Sequence, residues 1–148
     1  MKKKIIVTLV FVLAIVGIFY IVDRMKYTSF KEVILNTVNK DDVITINIER
    51  YIDNAKISIK DKFVVDKLLK EFSSMELKKA NDSMPKIGDY AVRIYVNGTG
   101  SRGMQFIKDS NYIWIHNDKK GEVYNIINEI DPLRIIEGQN LDWKYPRQ

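Results

Sequence analysis

Eighteen consecutive residues near the amino terminus, from Ile5 to Val22, carry no charge, and three lysines stand directly before them. A chain with such a run must either bury it in a core or hand it to a lipid phase. As a helix rising about 1.5 Å per residue the run spans roughly 27 Å, close to the hydrocarbon thickness of a bilayer. A removable export signal has a shorter apolar centre, about 7 to 15 residues, and ends in small side chains at the cut. Here the run ends in "FYIVDRMKY", with Phe19, Tyr20, Ile21 and Val22 where small residues would be needed. In a chain of only 148 residues a core helix would keep one polar face, but this segment is apolar all round with cations at both ends. The expectation is an uncleaved signal-anchor over residues 1–24. Lys2, Lys3 and Lys4 outweigh Arg24 and Lys26, which are partly offset by Asp23. That bias predicts a single pass, with a cytoplasmic amino terminus and the carboxyl domain outside the cell.

The anchor changes how the charge is read. The 148 residues hold 24 basic and 19 acidic side chains, net +5. Setting aside residues 1–24 leaves 20 basic and 18 acidic, net +2. A nucleic-acid partner is therefore not expected, because the basicity belongs largely to the flanks of the anchor. The absence of cysteine excludes disulfides, thiol catalysis, lipid attachment to cysteine and cysteine-based zinc sites. The 22 isoleucines, 18 lysines and 11 asparagines match the residue usage of AT-rich genomes.

Beyond the anchor, residues 25–42 read as a tether with a short helix, in which Ser29 and Glu32 have capping-box spacing. A domain follows over 43–138, and 139–148 form a tail. "VITINIERYI" alternates, placing Ile44, Ile46, Ile48 and Ile52 on one face, and Asp53 and Asn54 supply a tight hairpin before "AKISIK". Asp61 is an N-cap for a helix whose Val65, Leu68, Leu69 and Phe72 recur at helical spacing. "SSMELKKA" reads as a strand, "NDSMPKIG" as a loop, and "YAVRIYV", "MQFIK" and "YIWIH" as a meander. The segment 122–128 stays open between strand and helix. Asp131, Pro132 and Gly138 bound a short closing helix. Neighbouring strands joined by short turns predict an α+β domain with a mainly antiparallel sheet.

Alternation sorts the meander into two faces. Pairing Val92 with Phe106, Ile94 with Met104, Phe106 with Ile113 and Met104 with Ile115 makes one face wholly apolar. The other face gathers Arg93, Tyr95, Gln105, Tyr112, Trp114 and His116, residue types that include those enriched at binding hot spots. These six are the candidate contact surface for an envelope protein or a cell-wall polymer. The same alternation is also what cross-strand aromatic pairing on a solvated sheet produces. His116 is the sole histidine, and a metal site or catalytic dyad needs converging partners that no pattern supplies. No cofactor, metal or catalytic residue is expected. Lys62, Lys67 and Lys70 read as the solvated side of their helix. The leading reading is a membrane-tethered binding module without catalysis. An inhibitor or immunity-type protein using the same face is the alternative. A small hydrolase using Glu49, Asp89 and Asp109 is a weaker one. Self-association is left open by the sequence.

The run "ISIKDKFVVDKLLKEFSSMELKK", followed by a strand opening on Tyr90, the "IWI" strand and a terminal short helix, resembles small uncharacterised extracytoplasmic proteins of low-GC Gram-positive bacteria. Those proteins are tethered by a lipidated cysteine or an amino-terminal helix. The resemblance covers about residues 43–137. It implies placement in the envelope and supplies no functional residues.

Overall fold

A computed structural model describes residues 2–81, 88–117 and 121–146. The chain opens with helix α1 (Lys2–Arg24). It continues through strand β1 (Tyr27–Ser29), a short π-helix (Lys31–Leu35), β2 (Ile44–Arg50), β3 (Ala55–Ile59), α2 (Lys62–Ser73) and β4 (Glu76–Lys79). Strands β5 (Tyr90–Val96), β6 (Thr99–Phe106), β7 (Tyr112–His116) and β8 (Gly121–Ile126) follow, and α3 (Pro132–Glu137) closes the domain. The eight strands form one antiparallel sheet in the order β1-β4-β8-β7-β6-β5-β2-β3. The class is α+β.

Helix α1 is apolar and exposed around its circumference, and it is long enough to cross a bilayer. It runs almost directly into the sheet. Only Met25 and Lys26 separate it from β1, and the Lys26 carbonyl accepts from the Lys79 amide at 2.8 Å. Lys78 reaches back to Asp23 at 3.4 Å and donates to the Tyr27 hydroxyl at 2.9 Å. The stretch 25–42, expected as tether and short helix, thus supplies an edge strand and two core side chains, Phe30 and Ile34, both fully buried. Ser29 Oγ accepts from the Glu32 amide at 3.2 Å, as the capping spacing predicts, although the turn that follows is a π-helix.

One sheet face carries the core. Ile46 and Ile48 of β2, Val92 and Ile94 of β5, Met104 and Phe106 of β6, and Ile113 and Ile115 of β7 are all buried on it. Helix α2 covers this face with Val65, Leu68, Leu69 and Phe72, and Phe72 meets the Phe30 ring at 5.7 Å between centroids. The Asp61 carboxylate accepts from the Val64 amide at 3.1 Å and caps α2. Asp131 caps α3 through the Leu133 amide at 2.9 Å. Among the described residues no polar or charged residue is fully buried.

Several expectations are corrected. The β5–β6 register pairs Val92 with Met104, Tyr90 with Phe106 and Ile94 with Arg102, two residues from the expected Val92–Phe106 and Ile94–Met104. The cause lies in the turn. Asn97 (φ 53°) and Gly98 (φ 73°) close a two-residue loop in the left-handed region, so β6 begins at Thr99, and a bulge between Ile94 and Val96 takes up one residue. A slip of two leaves each side chain on its expected face. The β6–β7 pairs Phe106–Ile113 and Met104–Ile115 are as expected.

Ile52 does not belong to the apolar face. Strand β2 ends at Arg50 and Ile52 is 87% exposed. Asp53 takes the Arg50 guanidinium and the Ala55 amide while Asn54 adopts φ 55°, which fixes a four-residue turn at 51–54. Of the segment 122–128, left open between strand and helix, the part up to Ile126 belongs to strand β8 (Gly121–Ile126). The tail packs beside β3: Lys144 and Lys56 exchange backbone hydrogen bonds, and the Arg50 guanidinium lies 4.6 Å from the Trp143 ring centre. The expected loop 81–88 falls outside the described residues over 82–87, as do residues 118–120.

Candidate functional site

The sheet face opposite the helices is the side on which the six candidate residues lie. Cross-strand pairing sets them in rows. One row runs Asn47–Arg93–Gly103–His116–Gly121, and the next runs Glu49–Ala91–Gln105–Trp114–Val123. Tyr112 sits across from Asn125 in a third row, and Tyr95 is paired with Thr45 at the far end of β5. The register places Gln105 opposite Ala91, and Arg93 opposite Gly103, so large side chains alternate with small ones.

The small residues determine how the large ones lie. A Cβ at Gly121 would fall 2.3 to 2.6 Å from Cζ2, Cε2 and Nε1 of Trp114, so the indole rests flat on the β8 backbone. The same indole stacks on the His116 ring with centroids 5.0 Å apart and planes 29° apart. Gly103 provides the matching recess between Arg93 and His116: a Cβ there would meet the Val92 carbonyl oxygen at 2.1 Å. Ala91 is 2% exposed although it faces this side, so its neighbours close over it. The result is a paved aromatic and polar surface. Trp114, His116, Gln105, Arg93 and Tyr95 are half-buried, and Tyr112 is exposed.

Its charges are organised by Glu49. That carboxylate accepts from Lys56 at 2.8 Å and from Arg93 at 3.1 Å, and only 14% of its side chain is exposed. Hydrogen bonding from Lys56, then from Arg93, holds the Glu49 carboxyl below its ordinary value of 4.5. A carboxyl with a depressed folded value stabilises fully above its unfolded value, and the contribution is lost as pH falls through the folded value. Urea midpoints of the full-length protein in micelles should therefore fall as pH drops below about 4.5. Glu49→Gln should show a shallower fall; equal slopes for both proteins would mean that the pairing does not contribute.

The carboxylates weighed for a hydrolase occupy separate structural roles. Glu49 holds the ion pairs just described, Asp89 Oδ2 accepts from the Lys108 amide at 2.8 Å, and Asp109 sits in a turn at φ 57°. Among the described residues no group of three or more His, Cys, Asp and Glu side chains converges as a metal site would require.

No protein-family model matches the chain, and no curated protein matches it in sequence. A solved structure similar to it is that of a "putative lipoprotein" from Clostridium perfringens. The two share 16% identity, and the match covers 75% of this chain and 92% of that one at a TM-score of 0.47.

A second feature was not visible in the sequence. Between the π-helix, the segment leading into β2 and helix α2 lies a groove of about 920 Å³. Lys62 and Lys70, read from the sequence as part of a solvated helix side, stand at its edge.

Proposed function

We propose that this chain is a membrane-tethered binding module of the bacterial envelope, without catalytic activity, whose open sheet face holds a protein or glycan partner. Helix α1 would fix it in the bilayer through Ile5–Val22 as a single pass. The lysines before the span favour a cytoplasmic amino terminus and an external domain. The observation that carries the proposal is the paving of one sheet face by Trp114, His116, Arg93, Gln105 and Tyr112, with the helices α2 and α3 on the opposite side. An indole held flat on Gly121 is already ordered, so a partner gains contact area without the entropic cost of fixing it. Arg93 keeps 38% of its side chain exposed while Glu49 steadies it, which leaves donors free to reach outward.

The test places a photo-crosslinking phenylalanine analogue at Tyr112, or at Lys67 on α2, in the full-length protein held in its native membrane. A discrete adduct from position 112 and none from position 67 is expected. Trp114→Ala should lower its yield about tenfold, in keeping with removal of a hot-spot aromatic. Matching adducts from both positions, or an undiminished yield in a folded Trp114→Ala protein, would remove the open face as the binding surface.

A further inference from the structure

The groove beside α2 lies on the helix-covered side of the sheet and uses no residue of the open face. Its volume of about 920 Å³ is at the upper end of the roughly 300 to 1,000 Å³ typical of small-molecule sites. The floor is aliphatic, built by Leu35, Val38, Ile44, Val65 and Leu69. Val43 also lines it, and 70% of that residue is exposed, so the edge carries apolar surface with nothing packed upon it.

The rim is cationic in an uneven way. Lys62 is neutralised by Asp66 at 3.1 Å. Asp42 is occupied by the Asn39 amide at 2.7 Å and by Asn97 Nδ2 at 2.8 Å. Lys31, Lys40, Lys60 and Lys70 border the same opening and have no carboxylate at ion-pair distance among the described residues. Of the lining acids, Asp41 and Asp42 have no cation at ion-pair distance among the described residues, the amides on Asp42 leaving its charge in place, so five lysines face three aspartates and a net positive charge surrounds an apolar floor.

We propose that this groove binds an amphiphile with a single acyl chain and an anionic phosphate or carboxylate headgroup. The chain would lie on Leu35, Val65 and Leu69, where burial of methylene groups contributes, and the headgroup would meet the rim lysines. Each half of the site excludes a simpler ligand. A free anion leaves the aliphatic floor wet, and a neutral hydrocarbon leaves the excess of positive charge at the rim unmatched. Lys31 of the rim follows the end of helix α1 by seven residues, so on the proposed membrane attachment the site belongs to a chain segment near a source of such amphiphiles.

The test uses the full-length protein in phosphatidylcholine nanodiscs and follows the side-chain methyl resonances of Leu35, Val65 and Leu69. Decyl phosphate should shift them saturably, with decanol and inorganic phosphate at least about tenfold weaker. Lys31→Gln combined with Lys70→Gln, both surface changes, should weaken decyl phosphate roughly tenfold, equivalent to about 1.4 kcal/mol. An equal response to decanol, or a response to inorganic phosphate alone, would overturn the proposal. So would nanodiscs containing phosphatidylglycerol shifting these methyls while decyl phosphate leaves them in place, which would signify docking on the bilayer surface. Unmoved methyls under decyl phosphate would overturn it outright.

Discussion

Replacing Phe72 by alanine is expected to destabilise the domain by about 3–5 kcal/mol, the range for removing a fully enclosed aromatic ring from a core. Phe72 is fully buried, belongs to the stripe by which α2 covers the sheet, and rests against Phe30, itself fully buried. Phe30 comes from the segment between β1 and the π-helix, so the cavity would loosen α2 and the first residues after the membrane helix together. The same helix provides its own control. Phe63, one residue after the start of α2, is 79% exposed, and Phe63→Ala should change stability by less than about 0.5 kcal/mol. Urea unfolding of the full-length proteins in micelles separates the two. Similar losses for Phe63→Ala and Phe72→Ala would mean that α2 does not seat on the sheet as described.

That contrast also shows what the sequence could disclose. Val65, Leu68, Leu69 and Phe72 recur at helical spacing after Asp61, and that local pattern determined both the helix and the face it buries. Asp131 and Pro132 marked α3 in the same way. The two faces of the meander were legible because alternation survives a two-residue slip: Arg93 and Trp114 share a face whether Val92 pairs with Phe106 or with Met104. The register itself was not legible, since it depends on whether Asn97 and Gly98 close the turn alone or with the glycines that follow. Strand β1 was hidden for a different reason. Tyr27–Ser29 is too short to alternate, and its partner Glu76–Lys79 is about fifty residues away, so only the assembled sheet identifies it. The groove combines both obstacles. Leu35, Ile44 and Leu69 come from three elements and Lys60 from the link between β3 and α2, and Lys70 looks solvated on its own helix until the segment before β2 is laid beside it.

Glycine-to-alanine changes at positions 103 and 121 should separate the fold from the surface displayed on it. At Gly103 the added Cβ would lie 2.1 Å from the Val92 carbonyl oxygen and 3.1 Å from the Arg93 Cα. Those are backbone atoms of the neighbouring strand, so no rotamer change relieves the overlap and β5 must move away from β6. Both strands lie in the interior of the sheet and carry Val92, Ile94, Met104 and Phe106 into the core. Gly103→Ala is therefore expected to cost about 3 kcal/mol, the upper part of the range for overpacking. At Gly121 the obstruction is the Trp114 indole, whose ring can swing aside. Gly121→Ala should cost only about 1 kcal/mol while lifting the indole off β8 and away from His116. Two indole N–H resonances are expected, from Trp114 and Trp143, and in Gly121→Ala only that of Trp114 should move. A protein that keeps its fold, shifts that one resonance and loses the crosslink at position 112 would tie recognition to the flat-lying ring. An unmoved Trp114 resonance would mean that Gly121 is not what seats it.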